Sequence, residues 1–245
     1  MPTPDRNTLS QARVTQIYDR NALFYDAMET PMEWLALRAW RRDLISGLSG
    51  QVLELGVGTG RNLALYPADV VLTAVDVAPS MLKRARARAR QLGIGATFVQ
   101  ADMRALPFET ASFDAVVTSC VFCSVAEPHA GLAEARRVLK PGGHLRMLEH
   151  QRPDPPALGW LFDRLNPLAV RLTGANLNRE TQRLVEGAGF STVTARRLDE
   201  LGIVRIFDAC DAREPEVGTE EADAKVDAID TAGAPPLGTQ RDSRR

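Results

Sequence analysis

Cysteine is scarce in this sequence, and two of its three cysteines, Cys120 and Cys123, lie close together. Three cysteines cannot form a disulfide framework in a chain of this length, and no second pair completes the four ligands of a zinc site. Long apolar runs are missing, and the N-terminus lacks the apolar core and cleavage site of a signal peptide. We therefore expect reduced thiols, no metal site and a cytoplasmic protein, with at most peripheral contact at the inner face of the membrane.

An excess of charge of one sign is missing as well, because the formal net charge is −1. The arginines of RARARAR, residues 84–90, alternate within a predicted helix, so their charges spread around it and we expect no nucleic-acid surface there. The last segment, residues 211–245, holds nine acidic and five basic residues and almost no large apolar ones. Such a composition cannot offset the entropy of ordering. We expect a disordered tail at 211–245 behind a single domain, with an N-terminal helical lid at 1–50 and a core at 51–210.

Five short apolar runs rich in β-branched residues alternate with helical patterns between residues 51 and 150. This alternation predicts a parallel sheet covered by helices on both faces. Two further runs, residues 191–200 and 202–210, are separated so briefly that they must pair antiparallel. We therefore predict an α/β fold with a seven-stranded sheet, in which five parallel strands are followed by a terminal antiparallel hairpin.

The first predicted strand runs into VLELGVGTGRN, residues 52–62, which carries glycines at alternate positions, Gly56, Gly58 and Gly60. Glycines let the backbone turn tightly and approach a ligand closely. The fingerprint of nicotinamide dinucleotide sites places its third glycine five residues after the first, where this sequence has Arg61. The spacing therefore argues against a nicotinamide oxidoreductase.

Three carboxylates follow the ends of the first three predicted strands, where open α/β sheets bind their ligands. Asp76 lies 20 residues after Gly56, which is the spacing of an acid that accepts both hydroxyls of a ribose. Glu54 stands just before the glycine loop and favours a ligand with an amine over a pyrophosphate. Asp102 supplies the third acid. Together they predict a ribose-containing ligand with an amine.

Four stretches resemble, in order and spacing, the motifs of class I S-adenosylmethionine-dependent methyltransferases: LELGVGTG, AVDVAPSMLKRA, ADMRALPFETASFDAVV and EARRVLKPGGHLRMLEH. The resemblance spans about residues 10–208 and implies the Rossmann-like fold of that class, with S-adenosylmethionine as cofactor. It also implies that the three glycines line the methionine end and that Asp76 holds the ribose. By the same resemblance Asp102 and Met103 meet the adenine, and Ser119 and Cys120 face the sulfonium and the substrate.

Three further stretches look like bacterial phospholipid N-methyltransferases and, more distantly, animal methyltransferase-like thiol methyltransferases: RVTQIYDRNALFYD, TSCVFCSVAEP and LNPLAVRLTGANLNRET. This likeness implies a phospholipid amine, such as that of phosphatidylethanolamine, as the methyl acceptor, and a thiol as the alternative. Quinone C-methyltransferases usually carry an Arg-Asn pair where this chain has CVFCSV, which makes that third alternative weaker. A cofactor-binding protein without catalysis is the rival from another class.

An amine or thiol must lose a proton before it attacks a methyl group, and a side chain with a pKa near neutrality suits that task. His150 ends the fifth predicted strand beside Glu149 and is the candidate base, with a structural hydrogen-bonding role as the alternative. Tyr25 is the candidate lid residue that orients an amine; core packing with Tyr18, two helical turns away, is its alternative. The two neighbouring cysteines are expected to line the pocket.

Residues 31–48 and 156–172 both place tryptophans and leucines at helical spacing with arginines beside them. A helix of this kind lies in the membrane interface or closes a pocket. Both segments are therefore candidates for peripheral membrane contact, and the alternative is that they cap the sheet.

Overall fold

The computed structural model describes residue 10, residues 12–17 and residues 37–212. Its seven strands form one sheet in the order β3-β2-β1-β4-β5-β7-β6. Strands β1 to β5 run parallel, β7 pairs antiparallel with β5, and β6 pairs antiparallel with β7. The predicted seven-stranded sheet with a terminal antiparallel hairpin is confirmed.

The strands are β1 (Gly50–Leu55), β2 (Val70–Asp76), β3 (Thr97–Gln100), β4 (Phe113–Ser119), β5 (Leu139–His150), β6 (Thr192–Arg197) and β7 (Val204–Asp211). The helices are α1 (Arg38–Ile45), α2 (Pro79–Leu92), α3 (Pro128–Val138), α4 (Pro156–Thr173) and α5 (Thr181–Glu186). A 3-10 helix at Leu63–Leu65 follows the glycine loop, and residues 12–17 are also helical.

Proline and glycine mark several of the helix ends. Helices α2, α3 and α4 each begin with a proline, whose missing N–H is not needed in the first turn. Gly93 and Gly174 end α2 and α4 in the left-handed conformation, at φ of 67° and 79°. These boundaries fix which residues of the following loops reach the edge of the sheet.

Strand β5 is longer than predicted. The sequence indicates a turn at residues 141–143, but the strand already begins at Leu139, which pairs with Phe113 of β4. The register shifts between Phe113 and Ala115, so an irregularity in the pairing accommodates the proline and the two glycines. The far end of β5 is unaffected, and His150 ends the strand as expected.

Apolar side chains bury the sheet on both faces. One cluster joins β1, β4 and β5 to α3 and α5, and the other joins the opposite face to α1. Leu37, Leu44 and Leu48 of the first candidate membrane segment are buried in the protein. The prediction of membrane contact is therefore wrong for this part of residues 31–48, because these leucines cap the sheet.

Only the first two residues of the expected tail are among the described residues. Asp211 is buried and paired with Gly143 as the last residue of β7, so the folded part reaches one residue into the segment expected as a tail. Residues 18–36 and 213–245, which include Tyr18, Tyr25 and nearly all of the expected tail, lie outside the described residues. Within the described part of the chain, no helix has the length and hydropathy that crossing a bilayer requires.

Candidate functional site

A cavity opens at the C-terminal edge of the sheet, between the ends of β1, β2 and β4. This is the point where the strand order reverses, because β1 pairs with β2 on one side and with β4 on the other. Its walls come from the glycine loop, the ends of the neighbouring strands and the N-terminal helical segment. The lining residues include Val14, Gly56, Gly58, Asp76, Ala78, Met81, Asp102, Met103, Ser119, Cys120, Val121 and Ser124.

The three glycines of the loop all have positive φ, and each has a different surrounding. A Cβ on Gly56 would lie 2.5 Å from the Val121 side chain, and one on Gly60 would meet Leu63 and the backbone of α2. A Cβ on Gly58 meets nothing within 4 Å. Gly56 and Gly60 thus permit close packing of the chain, whereas Gly58 lines the cavity and leaves open space beside the loop backbone.

Asp76 joins the glycine loop to the start of α2. One of its carboxylate oxygens accepts a hydrogen bond from the Gly58 amide at 2.8 Å, and the other accepts one from the Ala78 amide at 2.9 Å. The carboxylate also lines the cavity. Each oxygen has a second lone pair, so the group can accept two hydroxyls of a ligand while it holds the loop.

Asp102 and Met103 form the next part of the wall, as the sequence predicts. The Asp102 carboxylate is held by the Arg104 guanidinium, with the shortest bond at 2.8 Å, and by the Arg104 amide. Burial alone would raise the pKa of Asp102, but these bonds outweigh it and lower the pKa. Met103 packs beside Gly131 of α3 and presents an apolar surface suited to a purine.

Glu54 does not line the cavity but lies buried behind the glycine loop. Its two oxygens accept hydrogen bonds from the Asn62 amide at 2.7 Å and the Tyr66 hydroxyl at 3.1 Å. Burial raises the pKa of Glu54 to about 7, although these bonds and the charge of Arg41 act in the opposite direction. Its predicted contact with a ligand amine stays a prediction.

Arg41 is a buried side chain of the site that the sequence did not single out. Its guanidinium donates to the Asn62 carbonyl oxygen at 3.2 Å and to the Ser119 hydroxyl at 2.8 Å. It therefore links α1 to the glycine loop and to the end of β4. No local pattern reveals it, because Ser119 is 78 residues away along the chain.

Residues 120–125 contribute another part of the wall through Cys120, Val121, Ser124 and Val125, and the end of β5 holds this segment in place. The Cys120 amide donates to the Leu148 carbonyl at 2.7 Å. One Glu149 oxygen accepts from the amides of Val121 and Phe122. The other finds no hydrogen-bond partner within the described residues, and burial raises the pKa of this carboxyl.

The two neighbouring cysteines differ in their surroundings. Cys120 is half-buried, lines the cavity and adopts φ of 57°, as a tight turn after β4 requires. Cys123 is buried, and this burial raises the pKa of its thiol to about 12, so the thiol stays protonated. Neither cysteine forms a disulfide, and the described residues contain no group of three or more metal-ligating side chains.

His150 lies at the same edge of the sheet but is not among the residues that line the cavity. Burial is the main cause that lowers the pKa of its imidazole, and the charge of Arg179 acts in the same direction, against Glu149. The ring is therefore neutral at pH 7. His150 directly follows Leu148 and Glu149, which accept hydrogen bonds from the backbone of residues 120–122. Its backbone therefore lies next to the part of β5 that supports the wall.

Comparison with known proteins agrees with this geometry. A family model described as a methyltransferase domain matches residues 53–147. The ubiquinone/menaquinone biosynthesis C-methyltransferase of Rhizobium leguminosarum is 34% identical over 181 residues, which are 67% of this chain and 70% of the relative. A thiol S-methyltransferase of Rattus norvegicus is also 34% identical, over 67% of this chain and 72% of the relative.

Solved structures agree on the fold. A phosphoethanolamine N-methyltransferase of Haemonchus contortus, in complex with S-adenosylmethionine, aligns with a TM-score of 0.62 at 14% identity, over 84% of this chain and 61% of that one. The chain belongs to the class I S-adenosylmethionine-dependent methyltransferases. Its cofactor is S-adenosylmethionine. The open space at Gly58 and the Asp76 carboxylate both border the cavity, so the residues present leave room for such a ligand beside the loop.

Replacing Gly58 by alanine should weaken cofactor binding roughly tenfold or more, because the methyl group fills the space that the ligand needs and φ of 55° strains the loop. Isothermal titration with S-adenosylmethionine measures the change. Gly93→Ala is the matched control, since Gly93 also has positive φ and no atom within 4 Å of its Cβ but lies at the end of α2. Equal losses in both variants would refute a ligand contact at Gly58.

Asp76→Asn should lower the affinity for S-adenosylmethionine by roughly tenfold to a hundredfold, since charged hydrogen bonds contribute about 1.5–3 kcal/mol. The same titration measures the affinity. Asp208→Asn is the control, because Asp208 of β7 pairs with His144 and Arg146 of β5 and does not line the cavity. An unchanged affinity in Asp76→Asn would remove the ribose assignment.

Glu54→Gln should flatten the pH dependence of the free energy of unfolding. Because the folded-state pKa is raised, the contribution of Glu54 is full below its ordinary pKa of 4.5 and is lost as pH rises through about 7. Urea unfolding of both proteins in steps from about pH 5 to about pH 8 measures this. If the difference in the free energy of unfolding between the two proteins stayed constant over that range, the raised pKa of Glu54 would be refuted.

Proposed function

We propose that this methyltransferase acts on an acceptor that must first lose a proton, and that this acceptor is the amine of a phospholipid headgroup such as that of phosphatidylethanolamine. The observation that carries the proposal is His150, a neutral imidazole at the end of the strand that holds the 120–125 wall. The choice of a lipid over a soluble amine draws support from the exposed apolar face of α4.

The chain's own residues then divide the work between the two substrates. The glycine loop, Asp76 and Asp102 bind the cofactor, which when bound supplies a methyl group on a sulfonium sulfur. The wall at Cys120–Ser124 orients the acceptor for in-line attack, and alignment of this kind contributes up to ~7–11 kcal/mol in favourable cases. We infer that His150, which lies at the same edge of the sheet but outside the cavity lining, takes the proton of the ammonium group through a bridging water. The freed nitrogen lone pair forms the new C–N bond as the C–S bond breaks.

A thiol acceptor is the second candidate. The described wall of the cavity at Ser119–Val125 has no charged side chain, so it accommodates a neutral thiol as readily as a neutral amine. The thiol S-methyltransferase relative supports this alternative, and the C-methyltransferase relative supports a quinone-type acceptor. Deprotonation by a neutral histidine serves each of these acceptors, so the acceptor is decided by assay.

The deciding assay incubates the full chain with methyl-labelled S-adenosylmethionine and three acceptors in parallel: phosphatidylethanolamine vesicles, a small alkyl thiol and a soluble demethylated quinol. We expect label in the lipid. Label in the thiol or the quinol alone would overturn the phospholipid proposal in favour of that acceptor. Label in none of them would overturn all three.

His150→Asn should lower the rate of methyl transfer at least about tenfold without changing cofactor affinity. The rate of the unmodified protein should fall as pH drops through the lowered pKa of His150, below the ordinary 6.5, because the ring must be neutral to accept a proton. His144→Asn is the matched control, since His144 lies at the other end of β5 and pairs with Asp208. An unchanged rate and pH profile in His150→Asn would assign that histidine a structural role.

A further inference from the structure

Helix α4 presents an apolar face that no described residue covers. Leu161, Leu165, Leu168 and Leu172 recur at helical spacing and are 42–63% exposed; we refer to them as the leucine stripe. Trp160 stands beside the stripe at 57% exposure. Of the eight large apolar side chains that are exposed in the described part of the chain, five lie on this one helix. A concentration of this kind marks an interaction surface.

The charges along α4 complement an anionic surface. Arg164 stacks on the Trp160 ring, with its guanidinium carbon 4.9 Å from the ring centre, and Arg171 lies two turns further along the same flank. Neither arginine pairs with an acid within the described residues. The single acid of the helix, Asp163, is bound by Arg152 and Asn178. The flank of the stripe is therefore positive.

The opposite face of α4 connects to the wall of the site. The buried Asn166 accepts from the Leu177 amide at 2.8 Å and donates to the Asn176 side chain at 3.3 Å. Asn176 in turn donates twice, from its backbone and its side chain, to the Cys123 carbonyl at 2.9 Å. Whatever binds the leucine stripe therefore contacts the same helix that hydrogen bonds connect to residues 120–125.

We propose that α4 lies in the interface of an anionic phospholipid bilayer, with the leucine stripe and Trp160 among the acyl chains and Arg164 and Arg171 at the headgroup phosphates. A tryptophan ring prefers this boundary, and arginine side chains reach from it to the phosphates. The inference rests on the proposed lipid acceptor, because it names the surface from which that acceptor reaches the site.

A second copy of the chain fits the same face less well. Five side chains, each roughly half exposed, offer on the order of a few hundred Å², whereas a stable dimer buries about 800 Å² on each partner. A bilayer has no such requirement, because apolar burial and attraction of arginines to anionic lipid suffice for reversible binding of an interfacial helix.

The test is co-sedimentation of the full chain with phosphatidylcholine vesicles, with and without phosphatidylglycerol, in the absence of cofactor. Neither lipid carries a primary amine, so docking is measured apart from methyl transfer. We expect binding that increases with phosphatidylglycerol. Leu165→Gln/Leu168→Gln should lower the partition coefficient about tenfold or more. Arg164→Gln/Arg171→Gln should abolish the preference for anionic vesicles.

Matched controls separate this surface from general effects. Leu92→Gln/Leu201→Gln replaces two leucines of similar exposure elsewhere, and Arg90→Gln/Arg183→Gln replaces two exposed arginines away from α4; both should bind as the unmodified protein does. Absence of vesicle binding, or equal binding by the leucine-stripe variant, would overturn the proposal. So would a dimer in sedimentation velocity that this variant dissociates. A chain that docks but leaves phosphatidylethanolamine unlabelled would uphold docking and overturn the lipid acceptor.

Discussion

The hydrogen bond from the Gly58 amide to the Asp76 carboxylate is the interaction on which the site depends. It ties the loop after β1 to the end of β2, at the edge where the strand order reverses. Parallel strands bring their carboxyl ends to one edge, but they leave the loops beyond those ends unpaired. Asp76 supplies the missing pairing with two backbone amides and still lines the cavity, so a single side chain both shapes the loop and borders the cavity.

Behind the loop, a buried polar network supports this arrangement from the opposite side. Glu54, Asn62 and Arg41 are almost fully buried and are connected through hydrogen bonds that end at the Ser119 hydroxyl in the cavity wall. Buried polar groups are tolerated when they are satisfied, and such networks then fix one geometry. The near-neutral pKa of Glu54 follows from the same burial. The strand end, the glycine loop and α1 are therefore held together beside the cavity.

Local patterns in the sequence predicted the parallel sheet, the hairpin, the glycine loop and the strand-end positions of Asp76 and Asp102, because each depends on a short stretch of chain. The place of Ser119 at the site came only from the resemblance to the methyltransferase class. Arg41 was missed because its partners are distant in sequence. The start of β5 was missed because its proline and glycines read as a turn, and only pairing with β4 makes them part of a strand. The two tryptophan- and leucine-rich segments read alike, yet packing buries the leucines of the first against the sheet and leaves those of α4 exposed.

A crystal structure of the full chain with S-adenosylhomocysteine bound would show whether the Asp76 carboxylate and the glycine loop together hold the cofactor. We expect both ribose hydroxyls within hydrogen-bond distance of Asp76. We also expect the methionine end against Gly56 and Gly58, the purine between Asp102 and Met103, and the sulfur facing Cys120. A ribose bound away from Asp76, or a ligand outside this cavity, would contradict this assignment.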